Sequence, residues 1–134
     1  APFEYTIVPP QGADAARIAV PEINRRFNLK IVDWSSRPGE TIMDQETLDF
    51  DKLRWPLTLR NLRPGDSYRP HRRRRIRKLK RLLLEHRIPV RDRANWPVLT
   101  SAGALVWAWG CPVADEFAPQ SGTRAGLVIA EEKF

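Results

Sequence analysis

Apolar residues in this chain fall into short alternating runs, each soon cut off by proline, glycine or a polar cluster. Phe3 to Val8 alternates and ends at Pro9, Pro10 and Gly12. Arg17 to Val20 and Leu29 to Trp34 read as further strands, separated by Pro21 and polar residues, and Ser35 to Gln45 as a turn-rich connection. Phe50 to Leu62 sets Leu57 and Leu59 against Thr58 and Arg60, which predicts a strand with one charged face. Arg63-Pro64-Gly65-Asp66 reads as a tight turn, because proline fixes φ and glycine admits positive φ. Val98 to Thr100 and Ala104 to Trp109 form the arms of a hairpin around Ser101 to Gly103, and Leu127 to Ala130 is a last strand.

One stretch, between Pro70 and Pro89, carries a helical period instead. Ile76, Leu79, Leu83 and His86 share a stripe widened by Leu82, while Arg75, Lys78 and Arg81 fall away from it. This predicts a helix from Arg74 to His86, with Ile76, Leu79 and Leu83 anchoring it to the sheet. A charged bend follows Pro89. The expected fold class is α+β: a β-rich, sandwich-like domain of short strands with one principal helix. A chain of 134 residues with 42% hydrophobic content fits a single domain, 1–134, with a strand-rich lead-in over 1–47 and the main body over 48–134. Trp107 and Trp109 share a strand face with Leu105 and read as core; Trp55 and Trp96 each precede proline and are expected to pack; Trp34 stays open either way.

Charge changes the picture. Of the 25 residues from Arg69 to Arg93, 12 are Arg or Lys and only two, Glu85 and Asp92, are acidic, a local charge of +10. The rest of the chain carries −3, so the formal +7 is entirely local. A solvated helix face is the ordinary reading of such charge. Three details argue otherwise. Arg72 to Arg75 are consecutive and surround the expected helix start; cations there oppose the macrodipole; and no acid stands at helical spacing until Glu85. Stability alone does not choose this arrangement, whereas a polyanion compensates it. Arg outnumbers Lys nine to two between Arg72 and Arg93, and its planar fork grips phosphate through two bonds.

Chemistry is harder to find. There is no Gly-rich phosphate loop, no His-x-Glu or Cys-x-x-Cys pair, and no serine in a glycine-flanked elbow. Cys111 is the single cysteine, so it forms no internal disulfide, and before Pro112 it reads as a buried structural thiol. With two histidines, no metal site is expected. Asp66 reads as capping the turn or pairing with a neighbouring Arg such as Arg63 or Arg69, and Asp115 with Glu116 as an exposed strand end. No run reaches membrane-spanning length, no leader opens the chain, and a reducing cytoplasm is the expected location. A chain that lacks an initiator Met and opens on a strand reads as a domain excised from a longer protein. Taken alone, it binds and does not catalyse.

The stretch Leu57 to Gly110 resembles the C-terminal domain of bacterial tRNA(Ile)-lysidine synthetase. The resemblance rests on Arg60-Asn61-Leu62-Arg63-Pro64-Gly65-Asp66-Ser67-Tyr68-Arg69-Pro70 and Arg77-Lys78-Leu79-Lys80-Arg81-Leu82-Leu83. It continues through Ile88-Pro89, Arg93 and Trp96-Pro97 to Val106-Trp107-Ala108-Trp109-Gly110, with Leu48-Asp49-Phe50-Asp51 as lead-in. It implies a fold similar to a module of the phenylalanyl-tRNA synthetase β subunit. It also implies a domain that grips the acceptor region of tRNA. A separate N-terminal domain, holding ATP and Mg, would join lysine to the wobble cytidine; this chain itself would hold no cofactor. His71-Arg72-Arg73-Arg74-Arg75 departs from the family, which has a Gly-containing loop there.

The expected partners are therefore tRNA and the N-terminal catalytic domain of the same parent, with no membrane. Arg63, Arg69, Arg72, Arg73, Arg74 and Arg75 would meet phosphates from the loop, Lys78, Lys80 and Arg81 from the helix, and Arg91 and Arg93 from the bend. Gly65 would shape the turn and Asp66 would hold it. The competing reading is a basic protein-interaction module docking on an acidic surface.

Overall fold

In the computed structural model, which describes residues 2–10, 15–34 and 46–133, the short apolar runs become strands of two four-stranded antiparallel sheets. The first contains β1 (Glu4–Ile7), β5 (Leu57–Asn61), β8 (Pro97–Ser101) and β9 (Ala104–Ala108), in that order. The second is ordered β2 (Ala16–Val20), β3 (Arg25–Asp33), β10 (Ala125–Lys133) and β4 (Thr47–Asp49). A two-stranded ribbon, β6 (Ser67–Tyr68) with β7 (Arg77–Lys78), leads into α1 (Leu79–Glu85), and α2 (Val90–Arg93) follows. The turn-rich connection expected over Ser35 to Gln45 lies outside the described residues.

The two sheets face each other across one apolar core. Ile7, Leu57, Leu59 and Leu99 from the first meet Val20, Phe27, Leu29, Leu48 and Leu127 from the second. Each such side chain, fully buried, contributes about 1.5–3 kcal/mol, so this layer dominates the fold's stability. Phe27 of β3 meets the ring of Trp107 edge-on at 5.6 Å, tying the sheets together. On the outer face of the first sheet, Leu79, Leu82 and Leu83 of α1 pack with Val98, Leu105 and Ala108. The order of layers is thus sheet, sheet, helix.

Three expectations change. First, α1 begins at Leu79, not Arg74. Residues 77 and 78 are drawn into the ribbon by pairing with Tyr68 and Ser67, and Arg72 takes a left-handed φ of 67°. Four consecutive cations at a helix N-terminus would oppose its dipole, and the fold avoids this by placing them in a loop. Ile76 is consequently not an anchor; it is 71% exposed. The far end is sharper: Ile88 N donates to Leu83 O and Arg87, at φ 60°, to Leu84 O, so a left-handed residue stops the helix and His86 is exposed.

Second, Leu105 and Trp107 do not share a face. The β8–β9 register pairs Leu99 with Trp107 but Thr100 with Leu105, leaving Val106 as an extra residue. This bulge turns Val106 and Trp107 both toward the sandwich core and sends Leu105 to the α1 side. Third, Arg60 is not on a solvent face. That side of β5 is covered, and Arg60 is buried.

A candidate nucleic-acid groove

The Arg63–Asp66 turn closes through an Asp66 N to Arg63 O bond of 3.1 Å, with Gly65 at φ 86°. A side chain at Gly65 would meet nothing within 4 Å, so glycine is required there by conformation and not by crowding. The Asp66 carboxylate accepts the Arg63 amide at 2.7 Å and both Arg60 Nη atoms at 2.9 Å each. Burial acts to raise the proton affinity of Asp66, but the hydrogen bonds from Arg60 and Arg63 outweigh it and hold the carboxyl below its ordinary range. The main chain of Asp66 does a second job: its carbonyl accepts the amide of Leu79, the first residue of α1, at 2.9 Å. Lys78, the residue preceding that helix, supplies no side-chain cap. One residue therefore ties the turn to the helix start.

Between the turn, the start of α1 and α2 lies an open groove of about 630 Å³. Arg63, Lys78, Lys80 and Arg93 line it, with Gly65, Asp66 and the apolar Leu62, Pro64, Val90 and Ala94. Val90 is 73% exposed, an apolar surface offered among cations. Among the described residues Asp66 is the only carboxylate in the lining, and Arg60 matches it from beneath.

The other expected contacts are distributed differently. Arg72 to Arg75 form a loop whose base is fixed by His71 N to Val113 O at 2.8 Å, by Arg73 N to Pro70 O at 2.9 Å, and by Asp115. Asp115 is not an exposed strand end; it belongs to a single 3-10 turn, Asp115–Phe117, and is half-buried. It accepts the Arg72 amide and lies 2.9 Å from the Arg69 guanidinium and 3.1 Å from His71 Nδ1. Arg69 faces this acid and does not line the groove. Arg81 and Arg91 are exposed outside it. Arg63 pairs with Glu4, and Arg77 with Glu85. Among the described residues, Arg73, Arg74, Arg75, Lys78, Lys80, Arg81, Arg91 and Arg93 form no ion pair with a carboxylate.

No tryptophan offers itself as a free stacking platform. Trp34 and Trp107 are buried. Trp109, half-buried, stacks on Trp96 at 4.8 Å and lies 5.7 Å from the Arg25 guanidinium, while Trp55 packs on Phe50 at 5.8 Å. Cys111 is buried, and burial pushes its thiol up to about 11, away from the thiolate form that reacts. The expected pairing of Asp66 is corrected in part: its side-chain partner is Arg60, while Arg63 contributes only its amide. Sequence reasoning missed Arg60, Asp115 and Val90. The one signal for Arg60 was its six-residue distance from Asp66 across a tight turn, which brings a strand residue beneath that turn.

The TilS substrate C-terminal domain family matches residues 57–129. Among curated proteins, the tRNA(Ile)-lysidine synthase of Solibacter usitatus is 42% identical over 105 residues, 78% of this chain and 22% of that protein. The enzyme of the same name from Symbiobacterium thermophilum is 30% identical over 111 residues, 83% of this chain and 23% of its own. That from Bacillus subtilis is 33% identical over 110 residues, 81% and 22% respectively. The chain spans less than a quarter of the length of these relatives. A crystal structure of a TilS C-terminal domain superposes with a TM-score of 0.76 at 21% identity, covering 98% of both chains, and shares the fold. With more than half of its residues matched and relatives this similar along most of its length, the chain belongs to the TilS C-terminal domain family of the tRNA(Ile)-lysidine synthases.

Proposed function

We propose that this domain binds tRNA, gripping the acceptor region while the N-terminal domain of its parent joins lysine to the wobble cytidine. ATP and magnesium belong, in this reading, to that catalytic domain, and the whole enzyme works in the cytoplasm. The observation that carries the proposal is the groove: Arg63, Lys78, Lys80 and Arg93 converge on it, and Asp66, the one carboxylate among its described residues, is neutralised from below. Such a surface suits a ribose–phosphate chain, with cations for the phosphates and Pro64 and Val90 for sugar or base edges. The loop Arg72 to Arg75 adds exposed charge on a fixed base, and Arg69, Arg81 and Arg91 add a wider positive field. These contacts position RNA and do not read its sequence.

The relatives' names support tRNA as the ligand class, and the charge distribution agrees with it. The test is direct binding of a tRNA transcript to the isolated domain, against Lys78→Glu and Lys80→Glu variants whose fold is checked by circular dichroism. Loss of binding with retained fold supports the groove. Unchanged tRNA binding in the variants, or binding instead to an acidic protein surface, contradicts it.

A further inference from the structure

We infer that Arg60, a buried residue absent from the groove lining, is the positioning residue that makes a carboxylate-containing groove fit for an anion. The inference rests on the reading that the groove receives a phosphate backbone. Asp66 stands among the groove's cations, where an unmatched negative charge would repel phosphate. Yet the groove needs Asp66. Its carboxylate accepts the Arg63 amide that shapes one wall, and its carbonyl accepts the Leu79 amide that starts the other. Removing its accepting oxygen loosens the wall, and leaving its charge bare weakens the ligand's hold.

Arg60 resolves this conflict from β5. Its two Nη atoms meet the two Asp66 oxygens at 2.9 Å each, and Nη1 also donates to Asn61 O at 3.0 Å. Only 8% of Arg60 is exposed, so it stays below the ligand while cancelling the acid's charge. The forked geometry is specific to arginine, because lysine offers a single point charge and cannot hold both oxygens in one plane. Arg60 thus orients Asp66 and masks it in the same contact.

Arg60 from β5 contacts Asp66 directly, and the charged groups that share the groove lining with it are Arg63 from the turn, Lys78 and Lys80 from β7 and α1, and Arg93 from α2. Among the described residues Asp66 is the one carboxylate in the groove lining, and Glu4, paired with Arg63 outside it, is common to every variant compared. The experiment measures binding of an RNA stem–loop to the wild type and to Arg60→Gln, Asp66→Asn and the double variant, from neutral pH downward. Each variant is referred to wild type at the same pH, and its fold is checked by thermal unfolding. Arg60→Gln should bind roughly three- to tenfold more weakly at neutral pH, the effect of one unmasked charge beside the phosphates. Its deficit should shrink on acidification as Asp66 takes up a proton, and the double variant should recover wild-type affinity. Asp66→Asn alone keeps an oxygen for the Arg63 amide but strands the Arg60 guanidinium, so it serves only to close the double-variant cycle.

A double variant as weak as Arg60→Gln, or a deficit constant with pH, would show Arg60 to be merely structural and overturn the inference. Where Arg60→Gln does not fold, Arg60→Lys decides: affinity equal to wild type, or a deficit constant with pH, would overturn the inference as well. Lys78→Glu runs alongside as a control. If it binds RNA like wild type, the groove reading itself fails, and with it the setting for Arg60.

Discussion

Asp115 holds the main chain of Arg72: its Oδ1 accepts the Arg72 amide at 3.1 Å, across 43 residues of sequence. The same oxygen lies 3.1 Å from His71 Nδ1, and the other carboxylate oxygen 2.9 Å from Arg69. The arginine loop therefore stands on an acid. The Arg72 amide is the largest cause holding the Asp115 carboxyl below its ordinary range, ahead of burial, which acts the other way, and of His71 and Arg69. Because the folded state binds that proton less readily than the unfolded chain, Asp115 stabilises the loop above the ordinary carboxylate range. The stabilisation is lost as pH falls through the folded-state value. Asp115→Ala should accelerate hydrogen exchange at the Arg72 amide and weaken RNA binding a few-fold, although it raises the net positive charge. Tighter binding by this variant would mean that charge alone, and not a positioned loop, governs affinity.

Leu79 and Ile76 lie three residues apart and looked equivalent by period, but one is fully buried and the other 71% exposed. Leu79→Ala should cost about 2–5 kcal/mol in denaturant unfolding, through lost contacts with the outer face of the first sheet and the cavity left there. Ile76→Ala should change stability by less than about 0.5 kcal/mol. Equal costs for the two would place the helix start back at Arg74.

Cys111 is buried, with its thiol raised to about 11. At mildly alkaline pH, iodoacetamide should label it slowly in the folded domain and rapidly in denaturant, as followed by mass spectrometry. Fast labelling of the native protein would contradict its burial in the cluster with Leu79 and Ala108.

Much of the sandwich was legible because its strands obey the simplest rule, alternation closed by proline or glycine. Leu57 and Leu59 point inward as their spacing requires, and Gly65 occupies the positive-φ position that its turn needs. What the pattern could not show were places where pairing overrides period. Residues 77 and 78 fit a helix by spacing, yet the partners Tyr68 and Ser67 claim them for a ribbon. Val106 enters as a bulge, which no alternation of Leu105 and Trp107 reveals. Arg60 and Asp115 look like surface charges in sequence, and only long-range geometry makes one a buried counter-ion and the other a loop anchor. Of the cations expected to meet RNA, the groove gathers Arg63, Lys78, Lys80 and Arg93, whereas Arg69 turns to Asp115. The sequence located the charge, and the fold divides it.

If the groove cations neutralise phosphates, as proposed, tRNA binding should differ in its salt dependence between the wild-type domain and the Lys78→Glu/Lys80→Glu double variant. Log affinity of the wild type should fall linearly with log salt, by about 0.9 for each phosphate neutralised along a duplex. The variant's slope should be shallower by roughly two, with its fold unchanged. A salt-independent wild type, or identical slopes for the two proteins, would contradict the account.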